Sequence, residues 1–296
     1  MKVTWLPDVE ARPRRVAVGE FDGVHLGHRA VIGDADTVLT FDPHPRAVVA
    51  PDAAPKLLTP LPVKADLLEG LRVCELVVIP FDGAFAEQSP QGFVDDVLVG
   101  ALGAQEVRVG ENFRFGHQAR GDVPRLQRQA AFTTTVADMV EVDGEIVSST
   151  HIRGLIVAGA VEKAAHFLGQ PFQLRGIVQH GDERGRTLGY PTANLVPDNR
   201  LCYPGNGIYA SRAALEVDGA WRWWPAAVSI GVRPTFVTGR GVLVEAYLIG
   251  YEDDCYDQEL RLTFLRRIRG EKRFDGVEAL VAQMDDDVAQ ARRIAG

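Results

Sequence analysis

The 296-residue chain has only three cysteines, Cys74, Cys202 and Cys255, and no Cys-x-x-Cys pair. Zinc spacing and a disulfide framework are thereby disfavoured, and a reducing compartment is expected. No run of Lys and Arg stands out beyond "RRIRGEKR" near the end, and the formal net charge is -8. Such a chain is a poor non-specific nucleic-acid binder, because that binding rests on neutralising many phosphates with basic side chains. One small anionic nucleotide needs only a local positive site and is not excluded. No apolar run approaches the roughly 20 residues of a membrane span. The opening "MKVTWLPDVEARPRR" has no apolar core of the kind a signal peptide needs. A cytoplasmic protein is expected. The P-loop pattern G-x-x-x-x-G-K-[ST] is missing too, and its lysine with it.

Length allows one large domain or two ordinary ones, and 46% hydrophobic with 24% charged residues is a globular balance. In the first half, short apolar runs at 15–19, 37–41, 74–81 and 106–110 alternate with helical patterns at 57–71 and 89–102. That alternation predicts a doubly wound α/β domain with a parallel sheet. The second of these strands begins only nine positions after His28, so the helix after the first must be short. In the second half, strand-like runs at 171–181, 207–215, 226–231, 242–250 and 259–265 are divided by Gly, Pro and Asp clusters. One long helical pattern follows at 276–293. This predicts an antiparallel β-barrel with a terminal helix. Between the halves, 149–169 reads as two short helices stopped at Gly169 and followed by Gln-Pro, which places the boundary there: 1–169 and 170–296.

The first strand runs into "GEFDGVHLGH" (19–28), with three glycines, an aspartate and two histidines. A strand, a Gly-rich turn and a helix form a phosphate-binding arrangement, since the turn admits close approach and the helix start offers free N–H groups. His25 and His28, at i and i+3, share one face of the first helical turn and can donate to phosphate oxygens. An isolated pair of this kind is more often a helix cap beside an exposed ring. The agreement of strand, glycines and spacing favours the phosphate reading here.

The string "VGEFDGVHLGH", with "TFDPHP" (40–45), "VGENFRFGH" (109–117) and "SSTHIR" (148–153), resembles the FMN adenylyltransferase half of the prokaryotic bifunctional riboflavin kinase/FAD synthetases. The resemblance implies that His25 and His28 hold ATP phosphates and stabilise adenylyl transfer. It implies that Gly19, Phe21, Asp22, Gly23 and Gly27 shape the same turn against the nucleotide. Ser149, Thr150 and Arg153 match the family's second phosphate-binding turn, with Arg153 placed among the catalytic residues, and Asn112 lines the nucleotide or flavin pocket. Asp42 and His44 either shape a proline turn or touch substrate. Phe113 and Phe115, at strand-like spacing, are expected to pack the core.

The second informative stretch is "GDERGRTLGYPTANL" (181–195). Gly181, Gly185 and Gly189 at intervals of four indicate a loop. Thr192 and Asn194 alternate, so an extended backbone turns both oxygens to one side, a hard donor pair that suits Mg²⁺. Taken without the resemblance, this is a surface loop. The pattern G-x-x-x-G-R-x-x-G-[YF]-P-T-A-N nevertheless resembles riboflavin kinases. That implies Thr192 and Asn194 as ligands of Mg²⁺ and ATP phosphates, with Gly181, Gly185, Arg186, Gly189 and Pro191 folding over the nucleotide. Phosphorylating an alcohol needs a base. "GVLVEAYLIG" is apolar on both faces except for Glu245, which lies at a rim or in a polar pocket; by resemblance Glu245 is the general base. Ser229 stands where many relatives carry Asn. "PGNGIYA" (204–210) contains a formal G-x-G-x-x-A but precedes a strand, not the helix a dinucleotide site needs. "RRIRGEKR" reads as a solvated face, although the family uses this region near the flavin.

The resemblance spans about 14 to about 293. It implies two ATP-dependent, Mg²⁺-assisted reactions on small molecules, riboflavin to FMN in the barrel and FMN to FAD in the α/β half, without nucleic acid or membrane. Sequential sites are compatible with a homo-oligomer. The alternatives are a nucleotidyltransferase with another acceptor, which would lack the PTAN loop and Glu245, and a riboflavin kinase whose first half only binds flavin or nucleotide.

Overall fold

Short runs of β-branched residues, each bounded by turn formers, build the sheet of the first half. The computed structural model describes residues 1–180, 189–195, 198–235 and 239–296, with main chain alone at 232–235 and 239–240. The chain divides into two compact units, Met1–Ser149 and Thr150–Gly296.

In the first unit, β1 (Lys2–Trp5), β2 (Arg14–Val18), β3 (Thr37–Asp42), β4 (Glu75–Pro80), β5 (Ala104–Gly110) and β6 (Thr133–Ala137) form one sheet. Their order is β1-β4-β3-β2-β5-β6, and every neighbouring pair is parallel. The four expected strands are present. Of the two edge strands, KVTW is mostly exposed and TTTVA half-buried with no fully buried residue, so neither carries an apolar alternation to read.

Side chains alternate across the sheet. Val16 and Val18 join Leu39, Val77 and Ile79 under the π-helical segment Phe93–Ala101, through Phe93, Val97 and Leu98. Ala17, Val38, Leu76 and Val78 face the opposite layer. There α1 (Leu26–Ile32) is only seven residues long, as the compressed crossover requires. It reaches the sheet through Ile32. Phe21 and Val24 of the preceding turn, and Leu68 of α2 (Leu61–Glu69), complete the cover.

At the amino ends of the strands, Glu75 accepts from Thr4 Oγ1, Arg12 Nη2, and Arg14 Nε and Nη2, at 2.8–3.1 Å. The Arg14 side chain is 2% exposed and that of Glu75 4%. Burial alone would push the Glu75 carboxyl up, but hydrogen bonds from Arg12, Thr4 and Arg14, with the Arg14 charge, hold it below the usual range. A depressed carboxyl stabilises the fold above its unfolded pKa of about 4.3, and that stabilisation is lost as pH falls through the folded value. Glu75→Gln strands the buried Arg14 charge and should lower unfolding free energy by about 3–5 kcal/mol near neutral pH. Urea titrations should show the gap closing below about pH 4. A gap that stays constant into acid would contradict this.

Helix α3 (Ser149–Val157) starts on the last residue of the first unit, and the second unit holds the rest of it and α4 (Val161–Leu168), capped by left-handed Gly169. Strands β7 (Phe172–Gln179), β8 (Ala193–Leu195), β9 (Gly207–Val217), β10 (Ala220–Thr235), β11 (Gly239–Leu248) and β12 (Glu259–Arg269) close an antiparallel barrel in the order β7-β8-β11-β10-β9-β12. Leu260, Leu262 and Phe264 alternate into its interior. The terminal helix α5 (Val277–Ala295) covers Ala210, Ala227 and Tyr247 on the outside with Val288, Ala291 and Ile294.

Candidate active sites

In an open parallel sheet the ligand crevice lies outside the carboxyl ends of the strands, where the order reverses. Here that point is β2, with β3 on one side and β5 on the other. The "GEFDGVHLGH" turn leaves β2, "TFDPHP" spans the end of β3, and "GENF" leaves β5. Three stretches far apart in sequence thus meet at one edge of the sheet.

Between β2 and α1 the backbone is left-handed at Phe21 (φ 49°), Gly23 (94°) and Val24 (43°). For Phe and β-branched Val this costs of order 1–3 kcal/mol each and persists only where the surroundings over-determine it. His25 is the N-cap of α1: its Nδ1 accepts from His28 N at 3.2 Å, and the residue is 5% exposed. In the neutral ring the proton therefore sits on Nε2, the donor nitrogen. The His25 and His28 rings stack at 3.5 Å. A Cβ on Gly27 would lie 3.3 Å from the His25 ring, so any larger residue would crowd that ring. His25 thus both caps the helix and presents a proton, and neither ring is fully exposed.

The turn is clamped from three sides. Asp22, 3% exposed, accepts from Leu58 N and Thr59 N at 2.9 Å and from Thr59 Oγ1 at 3.3 Å. Thr59 Oγ1 in turn accepts from Gly23 N. Ser149 Oγ donates to Asp22 O at 2.9 Å, bringing the start of the "SSTHIR" stretch to the first motif. Lys64 Nζ, on α2, donates to Glu20 O at 2.6 Å and to Thr40 Oγ1 at 3.1 Å, and Thr40 Oγ1 donates to the same Glu20 carbonyl. Sequence reasoning missed Lys64, Thr59 and Thr40. The signal was a lysine at i+3 and i+7 spacing within the stripe Leu61, Lys64, Leu68.

Gly19 packs under the Phe21 ring, and Phe21 meets His28 edge-on at 5.4 Å. Asn112 is exposed after β5 and its Nδ2 donates to Met139 Sδ. Thr150 and Arg153 lie in the first turns of α3. His44 Nδ1 caps the short helix Pro45–Val49, which favours turn-shaping for that histidine. Phe115 is buried in the sheet core with Phe113 stacked on it, as expected of the pair.

In the barrel, register assembles the second site. Asn194 on β8 stands opposite Glu245 on β11, which stands opposite Ser229 on β10. Their neighbours Ala193, Leu195, Val244, Ala246, Val228 and Ile230 are buried. Alternation therefore turns Asn194, Glu245 and Ser229 to the outer face in one row, with Cβ atoms roughly 5 Å apart. Beside them a cavity of about 340 Å³ is lined by Pro191, Thr192, Asn194, Leu248, Tyr251 and Tyr256, and by the acidic residues 252–254. Tyr256 stacks on His180 at 3.7 Å. Gly189 is left-handed (φ 87°), and Tyr190 after it donates its hydroxyl to Asp285 of α5. That hydrogen bond, followed by burial, pushes the Tyr190 phenol up to about 12. Gly181, Gly185 and Arg186 lie outside the described residues.

Two minor expectations resolve here. Gly207 opens strand β9 rather than a helix, so the formal G-x-G-x-x-A has no dinucleotide context. The "RRIRGEKR" run is not simply a solvated face: Arg269 forks onto Asp287 of α5 at 2.7–3.1 Å, and Arg267 donates to Ala158 O and Asn206 O.

Two family models match the chain in succession, FAD synthetase over residues 8–151 and riboflavin kinase over 168–295. The bifunctional riboflavin kinase/FMN adenylyltransferases of Listeria monocytogenes and Bacillus subtilis are each 37% identical, over 290 and 294 residues, covering 94% of this chain and 91% of theirs. The Escherichia coli K12 protein of the same name is 35% identical over 295 residues, 95% of this chain and 92% of its own. A solved structure from Streptococcus pneumoniae, described as a macrolide-efflux protein, matches at TM-score 0.86 and 29% identity over 99% of each chain. Among the described residues, no helix here is long and apolar enough to cross a membrane. With both halves matched in order and near-complete mutual coverage, the chain belongs to the family of bifunctional riboflavin kinase/FMN adenylyltransferases.

Proposed function

We propose that this chain makes FMN from riboflavin and ATP in its barrel half, 170–296, and FAD from FMN and ATP in its α/β half, 1–169. The observation that carries the kinase assignment is the row Asn194–Glu245–Ser229 beside the cavity holding Thr192. Both families matched favour two active halves over a binding-only first half.

In the kinase reaction Glu245 takes the proton from the ribityl hydroxyl as that oxygen bonds to the γ-phosphorus. The bond to the β,γ-bridging oxygen breaks, and ADP leaves. Asn194 Nδ2 donates to Thr192 O at 3.3 Å, which orients Asn194 Oδ1 away from that carbonyl. Among the described residues no cluster of three His, Cys, Asp or Glu could hold a metal. The hard oxygen pair of Thr192 and Asn194 on this cavity fits a cation that keeps waters and phosphate oxygens, as Mg²⁺ does. When bound, Mg²⁺ neutralises charge on the ATP phosphates. Tyr190, tied to α5, sets the approach of Pro191 and Thr192 to that cavity.

In the adenylyl transfer the FMN phosphate oxygen, already anionic at neutral pH, bonds to the α-phosphorus of ATP while pyrophosphate departs. No strong base is needed, so the residues act by alignment and charge stabilisation. His25 donates from Nε2 and His28 from the adjoining ring, and Ser149 holds the turn through its bond to Asp22 O. The substrates are small molecules, and a cytoplasmic setting keeps the three cysteines reduced.

The test is direct. The protein, incubated with riboflavin, ATP and Mg²⁺ and resolved by flavin chromatography, should yield FMN and then FAD. FMN alone would remove the first-half activity, and neither product would sink the assignment.

A further inference from the structure

Lys64 is 6% exposed, on the inward face of α2, where its neighbours in the stripe are Leu61 and Leu68. An ammonium in such a place is far costlier than another leucine, unless it ends on groups that use its donors and its charge. It ends on the Glu20 carbonyl and the Thr40 hydroxyl, and the carboxylates of Glu20, Asp22 and Asp42 surround it. Glu20 is the last residue before the left-handed stretch at 21–24, and its carbonyl takes both the Lys64 and the Thr40 donors. Burial pushes the Glu20 carboxyl up to about 8 and the Lys64 ammonium down, each opposed by the other's charge.

We propose that Lys64 is a positioning residue for FMN adenylylation: with Thr40 it fixes the Glu20 carbonyl and so holds the strained 21–24 turn that presents His25 and His28. The inference rests on the adenylylation reading above. A turn with Phe21 and Val24 in left-handed conformations relaxes unless both of its ends are held. Asp22 and Thr59 hold its middle, and the Lys64–Thr40 pair holds its start on β3. The sequence has no P-loop lysine within the turn; this lysine reaches the turn from below, bonded to its backbone.

The experiment compares the full-length protein with Lys64→Met, Lys64→Arg and Thr40→Val. Rates of FAD formation from FMN are measured beside riboflavin phosphorylation in the same samples, with the binding stoichiometry of α,β-methylene-ATP as a measure of folded chain. Lys64→Met should lower the kcat of adenylylation about 100-fold, the scale of a 1 Å misplacement, with KM for ATP and FMN, stoichiometry and kinase rate unchanged. Lys64→Arg, which restores donors, should recover part of the loss. Thr40→Val, nearly isosteric, removes the hydroxyl that accepts from Lys64 and donates to Glu20 O, and should lower kcat at least about tenfold. A full adenylylation rate in Lys64→Met overturns the proposal, and so does a stoichiometry that falls in step with kcat. If Lys64→Met does not fold, Thr40→Val decides, and an unchanged rate there overturns it. Absence of FAD from the unsubstituted protein removes the adenylylation reading itself, a result distinct from all of these.

Discussion

Glu245→Gln should lose FMN formation by about 10²–10⁴-fold, the range for removing a positioned general base, while still converting supplied FMN to FAD. Glutamine keeps the volume and one acceptor of Glu245 on a half-buried outer-face position, so the barrel need not repack. What it removes is the only step that cannot proceed by alignment alone, the uptake of a proton from an alcohol. Asn194 and Ser229, its register neighbours, are neutral and cannot substitute. Initial rates with riboflavin and ATP, against rates with FMN and ATP, give the answer. A kinase rate within a few-fold of the unsubstituted protein would remove Glu245 from the chemistry, and joint loss of both activities would contradict independent sites.

The reciprocal result is expected of His28→Ala, which should lower FAD formation by about 10²–10³-fold, the cost of one donor aimed at developing charge, with FMN formation intact. The imidazole stacks on His25 and packs edge-on to Phe21, so its loss also frees the His25 ring. The His28 backbone N–H still donates to His25 Nδ1 in the variant, which preserves the cap of α1. The flavin products, resolved after supply of riboflavin and ATP, should then stop at FMN. Continued FAD synthesis at an undiminished rate would assign the phosphates to other groups.

Much of this protein is legible before it folds, for identifiable reasons. Strands at the centre of a parallel sheet are buried on both faces, so Arg14–Val18, Thr37–Asp42 and Glu75–Pro80 stand out as apolar runs. Edge strands, exposed or only half-buried along most of their length, do not, and Lys2–Trp5 and Thr133–Ala137 are invisible for that reason. The short helix behind His28 is implied by a nine-residue spacing. Why it suffices is not, because the missing cover comes from Phe21, Val24 and Leu68, which only packing brings there.

The sequence by itself determined the two halves, the motif turns and the identity of the groups that can donate, accept or take a proton, because these depend on local pattern and residue chemistry. The tertiary structure alone decided their company. Strand register sets Asn194 beside Glu245, sheet order sets three motif stretches around one crevice, and α2 carries Lys64 under a turn that has no lysine of its own. These are contacts between residues far apart in the chain. They are specified by which buried faces fit together, a property no single stretch contains.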